Sequence, residues 1–401
     1  MKQKVVVIGH GYTSRLSIER SVGMGGYDVD VIVIYYGKRK PKEKPIDCYS
    51  KYVNEVLFSP SGDEAALITL LINQYKGSPL KPLLIPESDF SVRVVDANLQ
   101  LLEKHFFVPH IGYRQGAVVE WMDKSKQKER AMFVGLNVAA AKIITIKDGR
   151  FSIPDDIQYP CFPKSIDGGK VGLGRCDNKD MLKQSLMKMA AIRDRDVLIE
   201  EYLEIDKEYA LVGVSNGEKV CIPAILYNEN MSKGLHYGVA QGGRVLAPTG
   251  FEELIIKFKQ LIQSIHFVGL FDIDFLECKG KYYFDEINMR FGGSGHAVTM
   301  AGVSLPAIFA DYMTKGRWNE SVVPTGTNLV FVNEHICVDE WYGGNLSTKD
   351  LRIQLCDADV SFVKDKEDPK PYKVFRRLLF MQRYKRHIKM LVHKLKSSKK
   401  I

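Results

Sequence analysis

Leu270–Leu276 and Tyr282–Ile287 read as two strands joined as a hairpin by the turn Cys278-Lys279-Gly280-Lys281. Side chains two apart on a strand share a face, so Glu286, Asn288 and Arg290 project together, and Asp274 joins them from the opposite strand. Two carboxylates and an amide oxygen on one face are hard oxygen donors of the kind that hold Mg²⁺ against nucleotide phosphates. Arg290 adds a planar fork of donors for a phosphoryl group, and Gly292, Gly293 and Gly295 let the backbone approach an anion closely. The plainer alternative is a solvated acidic hairpin paired with surface lysines.

Upstream, YPCFPKSIDGGKVGLG (159–174) sets Lys164 at a strand end just before Asp167-Gly168-Gly169-Lys170. Such a loop can close over a triphosphate with backbone N–H donors and a lysine as a point charge; an ordinary hairpin turn is the alternative. No G-K-[ST] opens a helix here, so the loop is not of the Walker A type. In VLIEEYLEIDKEYAL (197–211) an apolar strand runs into Glu200-Glu201-Tyr202-Leu203. Backbone groups there can bond the edge of an adenine between apolar walls, and Glu208 can accept from ribose hydroxyls.

The first 115 residues alternate strands (Lys4–Ile8, Val29–Tyr35, Pro82–Ile85) with helices (Thr13–Val22, Asp63–Tyr75, Val92–Glu103), the rhythm of a parallel sheet covered by helices. The turn Gly9-His10-Gly11 lacks the third glycine of a dinucleotide fingerprint. From Trp121 the pattern becomes hairpin-rich. Helices are expected at Asp123–Leu136, Asn178–Ala191 and Glu252–His266. Strands are expected at Lys142–Ile146, Tyr159–Lys164, Val197–Leu203, Glu208–Ser215, Lys219–Tyr227, Leu270–Leu276 and Tyr282–Ile287, with extended chain at Val171–Arg175. The fold class is therefore α/β followed by α+β. The expected division is a Rossmann-like domain at 1–115, a small lid subdomain with its linker helix at 116–200, a large subdomain at 201–330 and an extension at 331–401.

The net charge of +9 belongs to the tail: residues 370–401 hold twelve Lys or Arg and no Asp or Glu, which leaves −3 for the rest. A mildly acidic body argues against nucleic-acid binding. Val374, Leu378, Met381, Tyr384, Ile388, Leu391 and Leu395 recur at helical spacing among these cations. A basic amphipathic helix of this kind packs on the protein body or lies on an anionic membrane surface. The seven cysteines are scattered with no C-x-x-C pair, as expected of free thiols in a reducing compartment. No apolar run reaches the ~18 residues of a membrane span, and the apolar run at the start reads as a first strand rather than a signal peptide. A cytoplasmic location is expected, with membrane association at the cytoplasmic face as the alternative the tail leaves open. The polar, glycine-rich segment 228–244 offers Lys233, His236 and Arg244 to an anionic substrate, and Ser294 and His296 follow the acidic hairpin; structural loop residues are the alternative for each.

Taken in order, these residues resemble the ATP-grasp superfamily from Trp121 to about Gly316, with a weaker likeness over the preceding α/β domain. Within it, GHGYTSRLSIERSV, SKYVNEVLFSP (50–60) and KPLLIPESDF (81–90) are similar to D-aspartate ligase-like and carbamoyl-phosphate-synthase-like carboxylate–amine ligases. The resemblance implies that Lys124 and Lys164 hold ATP phosphates under a flexible loop that includes Asp167, Gly168 and Gly169. It places the adenine on Glu200, Glu201 and Leu203, and the ribose on Glu208. The implied metal ligands are Asp274, Glu286 and Asn288 for Mg²⁺, with Mn²⁺ as an alternative, and Arg290 and Lys164 are the implied catalytic cations. Asp285 and Met289 stand where an apolar residue and a Pro or Thr are more usual. The implied activity joins a small-molecule carboxylate, an amino acid among the candidates, to an amine through an acylphosphate. A catalytically silent ATP-binding regulatory or scaffold protein of the same fold is the alternative, disfavoured by the complete E-x-N-x-R element.

Overall fold

The computed structural model describes residues 2–37, 39–166, 172–233, 238–319, 322, 324 and 326–381. Its first sheet is four-stranded and parallel, in the order Val53–Pro60, Asp28–Tyr35, Lys4–Gly9, Leu83–Pro86. The β-branched run Val5-Val6-Val7-Ile8 suits a strand buried on both faces. Val5 and Val7 pack with Ile18 and Val22 of the helix Tyr12–Met24 on one side. Val6 and Ile8 pack with Leu67, Leu71, Val94 and Val95 of two further helices on the other.

The single helix expected over Val92–Glu103 is two helices, Asp89–Ala97 and Leu99–Leu102. Ser88 and Ser91 form a reciprocal cap that starts the first one early. Asn98 ends it, with the Asn98 amide donating back to the Val94 carbonyl (2.9 Å). The strand expected over Lys219–Tyr227 is likewise two pieces, Val220–Cys221 and Ile225–Met231, separated at Pro223, which cannot donate to a ladder. At 172–175 there is no strand; Gly172 and Gly174 take positive φ there.

A three-stranded antiparallel sheet, Ala141–Ile146, Arg195–Glu201, Cys161–Ser165, is backed by the helix Lys179–Ala190 around its own small core. The third sheet has ten strands, centred on Lys207–Asn216 paired with Phe267–Cys278 in unbroken register. Tyr209, Leu211, Phe271 and Ile273 turn one of its faces toward Phe258 and Leu261 of the helix Glu252–Ser264. Ala210, Val212 and Leu270 turn the other toward Phe309 of the helix Leu305–Lys315, and that core is continuous with Val5, Val7 and Ile18 of the first sheet. The first and third sheets thus share one interior, and the three-stranded sheet stands apart.

The far end of the chain closes onto the first helix. Arg20, 1% exposed, donates to Asp368 Oδ2 (3.0 Å) and to the carbonyls of Phe362 (3.0 Å) and Val363 (2.9 Å). Asp368 also accepts from the Ser50 hydroxyl and the Lys51 N–H. Removing one member of a buried, fully bonded pair leaves the other charged and unpartnered. Arg20→Met is therefore expected to cost about 3–5 kcal/mol in urea unfolding. Further on, helical backbone over 370–381 packs Phe375, Val374 and Leu378 against Cys337 and Val338, so this part of the tail lies on the body. Tyr384, Ile388, Leu391 and Leu395 lie outside the described residues.

Candidate active site

The hairpin strands Phe267–Cys278 and Lys281–Asn288 fix the acidic face by register. Asp274 sits directly opposite Glu286, and Asp272 directly opposite Asn288, so four oxygen-bearing side chains share one face. The partner of Phe275 is Phe284, so Asp285 is an extra residue in the ladder. A bulge of this kind re-aims a side chain. Asp285 consequently faces the cleft beside Glu286, and its carboxylate accepts from the Lys164 ammonium. The sequence marked Asp285 only as an unusual residue at an apolar position. Asp272 was missed although it stands two residues before Asp274, the spacing that puts both on one face.

Of these groups Asp285, Glu286 and Asn288 line one wall of a cavity of about 450 Å³, while Asp274 and Asp272, opposite Glu286 and Asn288 in the ladder, are not among its lining residues. The three-stranded sheet supplies the opposite wall through Phe162, Lys164, Glu200 and Leu203, and the helix Lys124–Phe133 supplies Lys124 and Gln127. Asp123 starts that helix by accepting from the Ser125 and Lys126 N–H groups. The Gln127 side chain then bonds the backbone of Ile287 in both directions (2.9 Å each), which fixes Lys124 beside the hairpin. Lys124 pairs with Glu286, Lys164 with Asp285 and with Glu200 (3.1 Å), and Lys128 with Glu200 (2.7 Å). Arg290 donates to Asp89 (2.7 Å) at the C-terminal edge of the first sheet and to Asn288 (3.3 Å). Glu208 also lines the cavity.

The electrostatics show an excess of crowded carboxylates. Burial, then repulsion from Asp272, Glu286 and Asp285, pushes the Asp274 carboxyl well above the usual range. Burial lifts Asp272 to about 7 against the pull of Arg290. Burial lifts Glu208 too, with Asp285 adding to it. For Asp285, burial acts the same way but is outweighed by Lys164, Lys128 and Lys124, which bring it down to about 2. Burial works against the Lys164, Lys124 and Arg290 cations, yet Asp285 and Glu200, Glu286, and Asp89 respectively carry them above their ordinary values. Asp274, Glu286 and Asn288 are the right donor types for a hard divalent cation, which would relieve this repulsion. Among the described residues no three Asp, Glu, His or Cys side chains are grouped so as to hold a metal ion between them.

Other expected positions fall differently. The Glu201 carboxylate accepts from the Ala140 N–H (2.9 Å), and Glu201 lines the cavity. Arg244 pairs with Glu229 (2.6 Å) and lines a separate cavity of about 180 Å³. His296 is buried edge-on against Phe362, away from the main cavity. The Lys233 N–H donates to Glu340. His236 and the loop residues Asp167, Gly168 and Gly169 lie outside the described residues.

Beyond Arg290, the edge of the first sheet carries Glu87, which sequence reasoning did not single out. It is 5% exposed and accepts from the Gly11 N–H (3.2 Å). A Cβ on Gly9 would come within 2.0 Å of Glu87 Oε2, so the glycine turn exists to admit this carboxyl. Burial raises Glu87 from 4.5 to about 7, with Arg15 and Arg290 pulling against it. Because its folded value is the higher one, Glu87 favours the folded state below pH 4.5 and that contribution is lost as pH rises through 7. At ~1.4 kcal/mol per unit the change is at most about 3 kcal/mol. Glu87→Gln is expected to gain stability relative to the parent between pH 5 and pH 8, as read by urea midpoints; parallel pH curves would refute it.

Cationic side chains from the three-stranded sheet and a core helix face an acidic hairpin across one cleft, a charge arrangement suited to a polyanion together with a cation. The family model described as "ATP-grasp domain" matches residues 131–307, and this part of the chain is an ATP-grasp domain. The chain is 26% identical over 205 residues to the N5-carboxyaminoimidazole ribonucleotide synthase of Staphylococcus saprophyticus, covering 50% of this chain and 53% of that one. For the synthase of Staphylococcus aureus the figures are 25% over 300 residues, 72% and 71%. The S. aureus enzyme solved with ADP superposes with a TM-score of 0.60 at 22% identity, over 81% of each chain. An L-amino acid ligase from Bacillus licheniformis gives a TM-score of 0.59 at 17% identity, over 79% of this chain and 75% of that one. Among the described residues no helix is long and apolar enough to cross a membrane.

Proposed function

We propose that the chain is an ATP- and Mg²⁺-dependent ligase that joins a small carboxylate to an amine. The observation that carries this reading is the convergence of Lys124, Lys164, Arg290, Glu286 and Asn288 on one cavity, with Asp274 directly opposite Glu286 across the hairpin. The ADP complex named for the S. aureus relative supports ATP as the nucleotide. The base lies against 200–203 and Glu208 takes the ribose. Asp274, Glu286 and Asn288 hold Mg²⁺, which when bound neutralises phosphate charge. The lid comprises the three-stranded sheet and its helix, while Lys124–Phe133 belongs with the large subdomain it packs on.

The substrate carboxylate oxygen bonds to the γ-phosphorus and the bond from phosphorus to the β-bridging oxygen breaks, giving ADP and an acylphosphate. Lys124, Lys164 and Arg290 offset the phosphoryl charge as it moves, which is positioning and electrostatic stabilisation. The amine then bonds to the acyl carbon, phosphate leaves and the amine loses a proton. The substrates enter where Arg290 meets Asp89, Glu87 and Asp272, at the carboxyl edge of the parallel sheet. An amino acid suits this mixture of a cation and acids, and the ligase from B. licheniformis named for L-amino acids has the same fold. A silent relative would lack one of these six groups; all are present. For the basic chain beyond 381, contact with an anionic membrane surface is proposed on its charge alone, with packing on the protein body as the alternative. Phosphate release from ATP, screened across pairs of amino acids and carboxylates, tests the reading. Stimulation by a particular pair supports it; basal release unchanged by any of them, with nucleotide bound, turns the assignment to the silent relative.

A further inference from the structure

We propose that Lys128 is a positioning residue that holds Glu200 as a fixed hydrogen-bond acceptor and thereby selects a purine with a 6-amino group over one with a 6-oxo group. The proposal rests on the reading that 200–203 meets the base.

Lys128 lies one helical turn beyond Lys124, so both project from the same face of the helix toward the cleft. Its side chain is 6% exposed and that of Glu200 5%, with Lys128 Nζ 2.7 Å from Glu200 Oε1. The other oxygen, Oε2, is 3.1 Å from Lys164 Nζ. A carboxylate this deeply buried needs a counter-charge. The two lysines supply it on different terms. Lys164 also pairs with Asp285 and stands on the wall expected to face phosphates, so a triphosphate competes for it. Lys128 has Glu200 as its one ion-pair partner among the described residues. Its ion pair with Oε1 keeps the carboxylate in place when Lys164 turns away, and Oε2 then faces the cavity that Glu200 lines together with Leu203 and Ile205.

A 6-amino group donates an N–H to that oxygen. A 6-oxo group presents a lone pair to it, and both acceptors go unpaired. Without Lys128, Glu200 must keep Lys164 as its partner. That withdraws the free oxygen from the base and a cation from the phosphates.

The test is calorimetric titration of the full chain with ADP and with IDP in the presence of Mg²⁺, which needs no second substrate. The parent is expected to prefer ADP by about tenfold or more, the scale of a buried acceptor left unpaired. Lys128→Met is expected to bind ADP about tenfold more weakly and to bring the preference below about threefold, while Lys128→Arg keeps most of it. Glu200→Gln, whose amide can turn to donate or accept, separates the two layers of the argument. If the parent shows no preference, or Glu200→Gln retains it, the placement of the base fails. If Glu200→Gln loses the preference and a folded Lys128→Met keeps it, the role of Lys128 fails. Should Lys128→Met not fold, Lys128→Gln removes the charge while keeping a polar chain; a parent-like preference there overturns the proposal equally.

Discussion

Glu286→Gln is expected to abolish nucleotide turnover, lowering it by about a thousandfold or more, without unfolding the chain. The carboxylate stands opposite Asp274 and on the same face as Asp272 and Asn288. The amide has the same shape but no charge, so it is a poor donor to a hard divalent cation. Its structural cost is small. Glu286 loses an ion pair with Lys124 whose two ends are 20–24% exposed, and at the same time Asp274 and Asp272 lose a repelling neighbour. Melting temperature should therefore hold or rise while ADP release disappears. Parent-like ADP release by the variant would remove the metal-ligand assignment.

Lys164→Met is expected to lower turnover by about a hundredfold or more, and here stability should fall as well. Lys164 bonds both Asp285 and Glu200. Its loss leaves Glu200 with Lys128, but strips Asp285 of the strongest of the cations that hold it near 2. An uncompensated, partly buried carboxylate in that position costs about 1–3 kcal/mol. The two variants thus share a catalytic direction and differ in the sign of their effect on folding. Equal destabilisation of both, measured by urea unfolding at one pH, would mean that the acidic hairpin is not under mutual repulsion.

The hairpin was legible in the sequence because its two-residue spacing and its turn are local: residues two apart share a face whatever surrounds them. Asp285 was not, because a bulge changes which way a residue points and is a property of two paired strands rather than of one string. Asp272 lay within reach, since the spacing rule that groups Glu286 with Asn288 groups it with Asp274. The βαβ rhythm located the first sheet, but the strand Val53–Pro60 and the break at Asn98 were missed. Asn98 competes with the helix by bonding Val94, a choice that helical periodicity does not register. Glu87, Asp89 and Arg290 meet only through the packing of two sheets far apart in the chain. Lys128 was not singled out in the sequence, because its depth against Glu200 is a property of the packed structure.

The Arg20–Asp368 clamp constrains how this protein is made. Arg20 is made well before its partner, since the anion that satisfies it is translated 348 residues later. Until then the helix Tyr12–Met24 must either keep an uncompensated guanidinium in its interior or leave its docking face open to water. That helix can therefore reach its final state only after residue 368 has been made. Ribosome-bound chains halted before residue 368 should remain open to proteolysis around that helix.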